Sequence, residues 1–407
     1  MKKLFLNKYF IVLIVLFVCF LPTAITQEAE SESDAIVTAL GVDYLPESDN
    51  VEVSMQIIVP TPSAQFSQNL SVVSVIDKSV SRAASALQLR LGKYISFPHC
   101  KAIVFNEAAI SQGVEKHLDF VIRNKANGNN IVLLGTKDSA KEMLNSISDI
   151  DNSLYFSLNN SGGFNKEYVK GVQLSLGDFY KRYQSKDSSC LIGNVSLESA
   201  EEVGMVSIPP SSGGESGGGS NSSSKPQKTV VNKGESMLLK NGKKVLSLTP
   251  DQGTGFNWFN KQSTKGFLLV ENVNDHLYKN ATVGIEIERK DTDFDTYFDG
   301  KTPVFRVTNR LYVRVAEIIE NAKDDEIYNE NHAYLTPALK EKIKDKVSKT
   351  FDEVVSIAKE HNTDIMDAGK TLNKYNNKSY KKYLKQNGEN PLKNIRFEHK
   401  IIVKERM

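Results

Sequence analysis

This chain is short of the residues that usually carry chemistry. It has three cysteines in 407 residues, too few for a disulfide framework, and a protein of this size does not need one. Cys19 falls in an N-terminal apolar run, which leaves Cys100 and Cys190 to read as small buried apolar side chains. The six histidines, His99, His117, His276, His332, His361 and His399, are scattered, with no H-E-x-x-H or other close ligand pair. His99 and Cys100 are neighbours, but adjacent side chains on a strand point to opposite faces, which excludes a nucleophile pair. No G-x-S-x-G elbow occurs, and no G-x-G-x-x-G follows a strand. Asp291, Asp293 and Asp295 start like a calcium loop. The positions that need glycine and glutamate are Thr296 and Thr302, so the loop fails and reads as a solvated hairpin tip. No metal or cofactor site is expected, and no catalytic one. An excess of charge of one sign is also missing. The formal net charge is +2, and residues 1–27 hold three lysines and no acid. The remainder is close to neutral, which gives no electrostatic case for a nucleic-acid partner.

One long apolar run is present. Lys2, Lys3 and Lys8 precede or flank thirteen consecutive apolar residues from Tyr9 to Leu21. Pro22 ends the run, and Glu28, Glu30, Glu32 and Asp34 follow. A basic start, a short apolar core and a polar continuation are the parts of an export signal. The run is shorter than the roughly 20 residues that span a bilayer, so a cleaved signal fits better than a permanent anchor. The rest of the chain is expected to be extracytoplasmic.

Length allows two or three domains. The expected organisation is residues 1–27 as signal peptide or signal anchor, 28–208 as an N-terminal α/β domain, 209–228 as a disordered Gly/Ser linker, 229–280 as a small middle domain, and 281–407 as a C-terminal domain with a long helix. Residues 35–44 and 51–57 have strand periodicity, 77–91 has helical spacing closed by Gly92, and strands at 101–105 and 131–135 alternate with helices from 114 and 139. Asn241-Gly242 between two apolar runs signals a hairpin. Residues 283–287 and 304–315 alternate like strands, with 291–302 expected as a long loop between them. Thr336-Pro337 opens a helix whose stripe runs Leu339, Ile343, Val347, Phe351, Val354 and Ala358. Residues 395–403 close the chain as a strand. The fold class is α/β (α+β), with three domains, each a mostly antiparallel or mixed sheet with packed helices. Trp258, the single tryptophan, reads as a core residue. The lysine- and tyrosine-rich tract 374–385 reads as a solvated helix face, with contact to anionic headgroups as the sharper alternative. Gly369 is expected to hold a positive φ.

Three stretches in order resemble one family. The first runs from Arg90-Leu-Gly-Lys-Tyr-Ile-Ser-Phe-Pro-His-Cys-Lys to Glu107, then through Leu118 to Arg123. The second is Gly234-Glu-Ser-Met-Leu-Leu-Lys-Asn-Gly-Lys-Lys-Val-Leu246 with 253–258. The third is the hairpin and long helix, then Thr363-Asp-Ile-Met-Asp-Ala-Gly369 and the last strand. Their order is similar to that of the Ger(x)C family, the C subunits of spore-germination nutrient receptors. The resemblance implies a non-enzymatic lipoprotein of three α/β domains on the outer face of the inner spore membrane. Its partners would be two integral membrane subunits, A and B, with the nutrient bound elsewhere in the complex. Lipid attachment would fall on Cys19. The sequence departs from the family pattern there: Val18 is bulky, and Phe20-Leu-Pro22 follow. A retained anchor and cleavage after Ala24 or Thr26 stay open. The competing reading is a secreted binding protein or hydrolase with an inter-domain cleft.

Overall fold

Apolar side chains on both faces of a strand force it to the middle of a sheet, and β1 (Asp34–Leu45) shows this: seven consecutive residues from Val37 to Asp43 are buried. The computed structural model describes residues 34–58, 70–123, 129–146, 172, 174–185, 189–199, 228–231, 234–319, 335–388 and 390–405. The export segment with Cys19, nearly all of the 209–228 linker, and His332 lie outside the described residues.

The strands that follow are β2 (Asn50–Ile58), β3 (Leu70–Asp77), β4 (Tyr94–Ser96), β5 (Ala102–Asn106), β6 (Val132–Thr136), β7 (Leu174–Ser175), β8 (Ser189–Ser199), β9 (Lys228–Val231), β10 (Ser236–Lys240) and β11 (Lys243–Leu248). Together with β1 they make one mixed sheet in the order β11-β10-β8-β6-β5-β1-β2-β3, with β4, β7 and β9 pairing to β1, β6 and β8. Its centre is parallel, through β1 to β5, β5 to β6, and β6 to β8. Helices cover both faces. On one lie α1 (Val80–Leu91), α2 (Glu107–Gln112), α3 (Val114–Arg123) and α5 (Leu176–Tyr183), which enclose Leu87, Ile110, Leu118 and Phe179. On the other, α4 (Ala140–Asn145) buries Met143 and Leu144 against Ala39 and Val104. Local signals set the helix ends. The Ser79 hydroxyl accepts from Arg82 N at 3.3 Å, and Gly92 closes α1 in the left-handed region.

The second sheet is simpler. Its strands β12 (Gly266–Asn274), β13 (Lys279–Asp299), β14 (Thr302–Ile319) and β15 (Arg396–Glu405) lie in that order, the last pair parallel and the others antiparallel. The 25-residue α7 (Pro337–His361) lays its whole predicted stripe on this sheet. It begins at Thr336, whose hydroxyl accepts from Leu339 N at 3.2 Å. Three shorter helices, α6 (Pro250–Asn257), α8 (Ala368–Tyr375) and α9 (Asn377–Gln386), complete this half. The class is thus mixed α/β, as the sequence indicated.

The structure departs from expectation at three places. Residues 291–302 are not a loop: β13 continues to Asp299, and only residues 300 and 301 make the turn to β14. The aspartates of this stretch are poor strand formers in isolation, but cross-strand arginines neutralise them. Asp293 pairs with Arg310, Asp295 lies 3.9 Å from Arg306, and Asp299 is 3.0 Å from Arg396. The stretch 229–280 has no sheet of its own: its hairpin extends the first sheet and β12 starts the second. Gly369, finally, is not among the positive-φ glycines; Asp367 takes that conformation, at φ 56°. Gly369 is small for a different reason. A Cβ there would lie 2.5 Å from Tyr380 Oη and 3.0 Å from Asp364 Oδ2. Asp364 approaches because its carboxylate accepts from Ala368 N and Gly369 N, each at 2.7 Å, and so caps α8.

Candidate interaction surface

A bulge opens the polar core of the second sheet. Val283, Ile285 and Ile287 of β13 point inward, and the register then shifts between Ile287 and Arg289. A one-residue shift exchanges the faces of a strand, so Lys290 and Thr292 point inward from there on. Lys290 is 1% exposed, and its Nζ donates to Asn260 O at 2.9 Å and Thr292 Oγ1 at 2.7 Å. Burial pulls its pKa down to about 7. Two donated bonds match the two N–H groups of a neutral amine. Asn309, also fully buried, donates from Nδ2 to Trp258 O at 3.0 Å and Thr292 Oγ1 at 2.9 Å. Its Oδ1 must then accept, which places the proton of His399 on Nε2, 2.7 Å away. Burial, reinforced by Lys290, lowers the His399 pKa to about 3, so the ring is neutral. It stacks on Phe351 at 4.0 Å, and Phe351 stacks on Phe259 at 4.6 Å. Trp258 is fully buried beside them and donates from Nε1 to Thr350 Oγ1 at 2.9 Å. This network fixes the 258–260 segment between sheet and helix. It is buried, and apart from His399 Nδ1, which has no hydrogen-bond partner, its polar side-chain atoms are paired, which suits a structural lock.

The two halves share one apolar core among the described residues. Leu191, Leu238 and Leu248 of the first sheet belong to the same apolar core as Phe256, Trp258 and α7. Lys240, at the tip of β10, donates to His361 O at 3.3 Å and Asn362 O at 2.8 Å, setting a cation on the C-terminus of α7. Arg182 of α5 reaches Asp367 at 3.4 Å. The Asn241-Gly242 turn, with φ 52° and 73°, is the type the dipeptide predicts, and Gly242 O accepts from Val114 N at 2.9 Å. A shallow groove between α6 and α7 is lined by Gln252, Asp345, Lys349, Asp352, Glu353 and Ile357. Mixed charge and a single aliphatic side chain make it unlike an apolar ligand cleft.

Among the described residues, α8 and α9 present a strongly asymmetric outer surface. Tyr380 and Tyr383 are buried and stack at 5.9 Å, holding α9 to the body of the protein. Lys378, Lys381, Lys382 and Lys385 are exposed on the side away from them. Lys370, Lys374 and Tyr375 of α8 are also exposed, with Lys374 Nζ 5.0 Å from the Tyr375 ring centre.

The residues singled out from sequence are thus dispersed. Asp291, Asp293 and Asp295 are engaged with arginines along β13. Cys100 and Cys190 are buried thiols in the core of the first half, where burial pushes the Cys100 pKa up to about 12. His117 is buried near Phe105, and desolvation lowers its pKa. No group of three or more potential metal ligands occurs among the described residues. Sequence reading missed Lys290, Asn309 and the buried carboxylate of Asp43. An asparagine at an inward position of the otherwise apolar β14 was the available signal for Asn309; Lys290 lies on the outward phase of the alternation that precedes it.

Comparison with known proteins decides the affiliation. The family model described as "Spore germination protein N-terminal domain" matches residues 27–197, and "Spore germination B3/GerAC like, C-terminal" matches 234–406. The chain belongs to the Ger(x)C family of spore-germination receptor subunits. Both halves of the family architecture are present in order, and the two matches leave out 198–233, around the expected linker. The crystal structure of the GerBC protein is similar, with a TM-score of 0.54 and 15% identity over 90% of this chain and 97% of that one. At that identity the likeness concerns the fold. No match to a curated protein was found.

Proposed function

We propose that this protein is a non-enzymatic subunit of a nutrient germinant receptor, required for nutrient-triggered germination, and that it acts by assembling with the A and B integral membrane subunits. The observation that carries the reading is the ordered match of both family models, over 27–197 and 234–406. The apolar core shared by the two halves favours a rigid docking body over the rival hydrolase or binding protein with an inter-domain cleft. The subunit would sit on the outer face of the inner spore membrane. No helix among the described residues is long and apolar enough to cross a membrane. Attachment would therefore rest on the segment before residue 34, through a lipid on Cys19 or a retained apolar helix. A single acyl chain binds membranes only marginally, so partner subunits or a second contact would have to contribute. The nutrient would bind elsewhere in the complex.

Affinity purification of the tagged protein from detergent-solubilised spore membranes tests this assembly. The reading expects two multi-span membrane proteins at comparable amounts. Recovery of the protein alone, from the soluble fraction, would overturn it.

A further inference from the structure

The lysine face of α8 and α9 differs from the mixed-charge face of α7 and from the paired charges of the second sheet. From Gly369 to Gly388 there are six lysines, Lys370, Lys374, Lys378, Lys381, Lys382 and Lys385, and no acidic residue. The chain as a whole is almost neutral, so this is concentrated charge and not a share of a general excess. On α9 four lysines fall at i, i+3, i+4 and i+7, one helical stripe, opposite the buried Tyr380 and Tyr383. Among the described residues none of the six is within ion-pair distance of a carboxylate. By contrast, the long helix α7 interleaves its lysines with Glu341, Asp345, Asp352 and Glu353.

The arrangement is locally unfavourable. Like charges at i and i+4, as in Lys378–Lys382 and Lys381–Lys385, destabilise a helix. Lys378 also stands in the first turn of α9, where no acidic residue offsets it and the N-cap Asn376 supplies no side-chain cap. Asn376 instead accepts from Thr296 Oγ1 at 2.7 Å, which pins the start of the helix to β13. Local rules broken without internal compensation mark a functional surface. The cation chosen is also informative. The fixed ion pairs of the second sheet use arginine: Arg289, Arg306, Arg310, Arg314 and Arg396. The exposed stripe uses lysine alone. Lysine is depleted from protein–protein interfaces and arginine enriched, whereas a hydrated point charge on a flexible stem suits a diffuse layer of headgroups. Tyr375, 66% exposed among these lysines, is a side chain favoured at the membrane–water boundary.

We infer that the α8–α9 lysine face binds the surface of an anionic phospholipid bilayer, as the second contact that a weak N-terminal anchor requires. This rests on the membrane association proposed above. The stripe would lie against the headgroups, with Tyr375 at their level. Binding would be electrostatic and therefore weakened by salt.

The test compares the full chain on vesicles of phosphatidylcholine alone and of phosphatidylcholine with phosphatidylglycerol, by co-sedimentation. Three proteins are needed: wild type; Lys378→Gln, Lys381→Gln, Lys382→Gln and Lys385→Gln combined; and a control carrying Lys340→Gln, Lys342→Gln, Lys346→Gln and Lys349→Gln on α7. Glutamine keeps helix propensity, and circular dichroism checks the fold. Wild type should prefer the anionic vesicles by at least about tenfold at low salt, and the preference should fade at high salt. The α9 variant should lose that preference while keeping its partition into neutral vesicles. The α7 control, with the same change in net charge, should behave as wild type. Equal wild-type partition into both vesicles would overturn the proposal and leave an acidic protein surface as the partner. Equal losses in the two variants would overturn it too, since net charge alone would then explain the binding. The experiment contains no partner subunit, so its failure leaves the receptor reading standing.

Discussion

The two halves of the molecule bury charge in opposite ways. In the first, Asp43 lies 3% exposed at the end of β1 and accepts from Ala140 N at 2.7 Å, Lys141 N at 3.0 Å and Ser139 Oγ at 3.1 Å. Burial pushes its pKa above the ordinary carboxylate range, against the pull of those bonds. At the other end of α4, buried Gln56 donates to Leu144 O at 3.0 Å. A six-residue helix, too short to hold itself together, is therefore clamped at both ends by strand residues. In the second half the buried group is a base. Lys290 ties the 258–260 segment to β13, and its environment favours the neutral amine. The acid satisfies backbone donors that would otherwise be stranded, whereas the base costs free energy to bury and supplies a lock. A buried charge can thus be the cheapest available partner for backbone groups, or a penalty accepted for positional definition.

The largest contrast is predicted from removing each group. Asp43→Ala leaves two buried N–H groups and a hydroxyl without an acceptor and should destabilise the first half by about 2–4 kcal/mol. Lys290→Met exchanges a poorly solvated amine for an apolar chain of similar length and should change stability by less than about 1.5 kcal/mol near neutral pH. Urea unfolding checks both, with fluorescence of Trp258 reporting on the second half and far-ultraviolet circular dichroism on the whole. Equal losses would remove the distinction between clamp and lock.

The pH dependence sharpens it. Lys290 has a folded pKa of about 7 against an ordinary value of 10.5. Between those values the unfolded chain holds the proton and the folded chain does not, so stability should rise with pH above 7. The slope contributed by this group approaches about 1.4 kcal/mol per pH unit. His399, lowered from 6.5 to about 3, adds a loss of stability on acidification through that window. Lys290→Met should flatten the alkaline rise between pH 7 and 9 and leave the acid loss in place. Parallel curves for wild type and variant would show that Lys290 is charged in the folded state.

A smaller effect is expected at the edge of the second half. Gly369→Ala should cost about 1–2 kcal/mol through its contact with Tyr380. Tyr380→Phe removes the hydroxyl that the new methyl would meet, so the two changes together should cost less than their sum. Strict additivity would mean that the close approach of Gly369 to Tyr380 has no energetic consequence.

Legibility in the sequence followed the range of the interactions involved. The stripe of α7, the Thr336 cap and the Asn241-Gly242 turn depend on neighbours a few residues away, and all could be read. The 291–299 extension of β13 could not, because Asp293, Asp295 and Asp299 are made compatible with a strand by arginines on β14 and β15. Lys290 was hidden by the bulge after Ile287, which reverses the inward phase of the strand. At Gly369 the residue was noticed for the wrong reason: its small size serves Asp364 and Tyr380, contacts that appear only once α8 and α9 are folded together. The lysine stripe was visible as composition, but its opposition to the buried tyrosines needed the fold.

Germination of spores lacking this protein tests the central claim most directly. Such spores should form normally, fail to germinate on the nutrient their receptor recognises, and respond normally to agents that bypass receptors; restoring the gene should restore the nutrient response. Normal germination on every nutrient, accompanied by loss of a hydrolytic or uptake activity in growing cells, would contradict the receptor account.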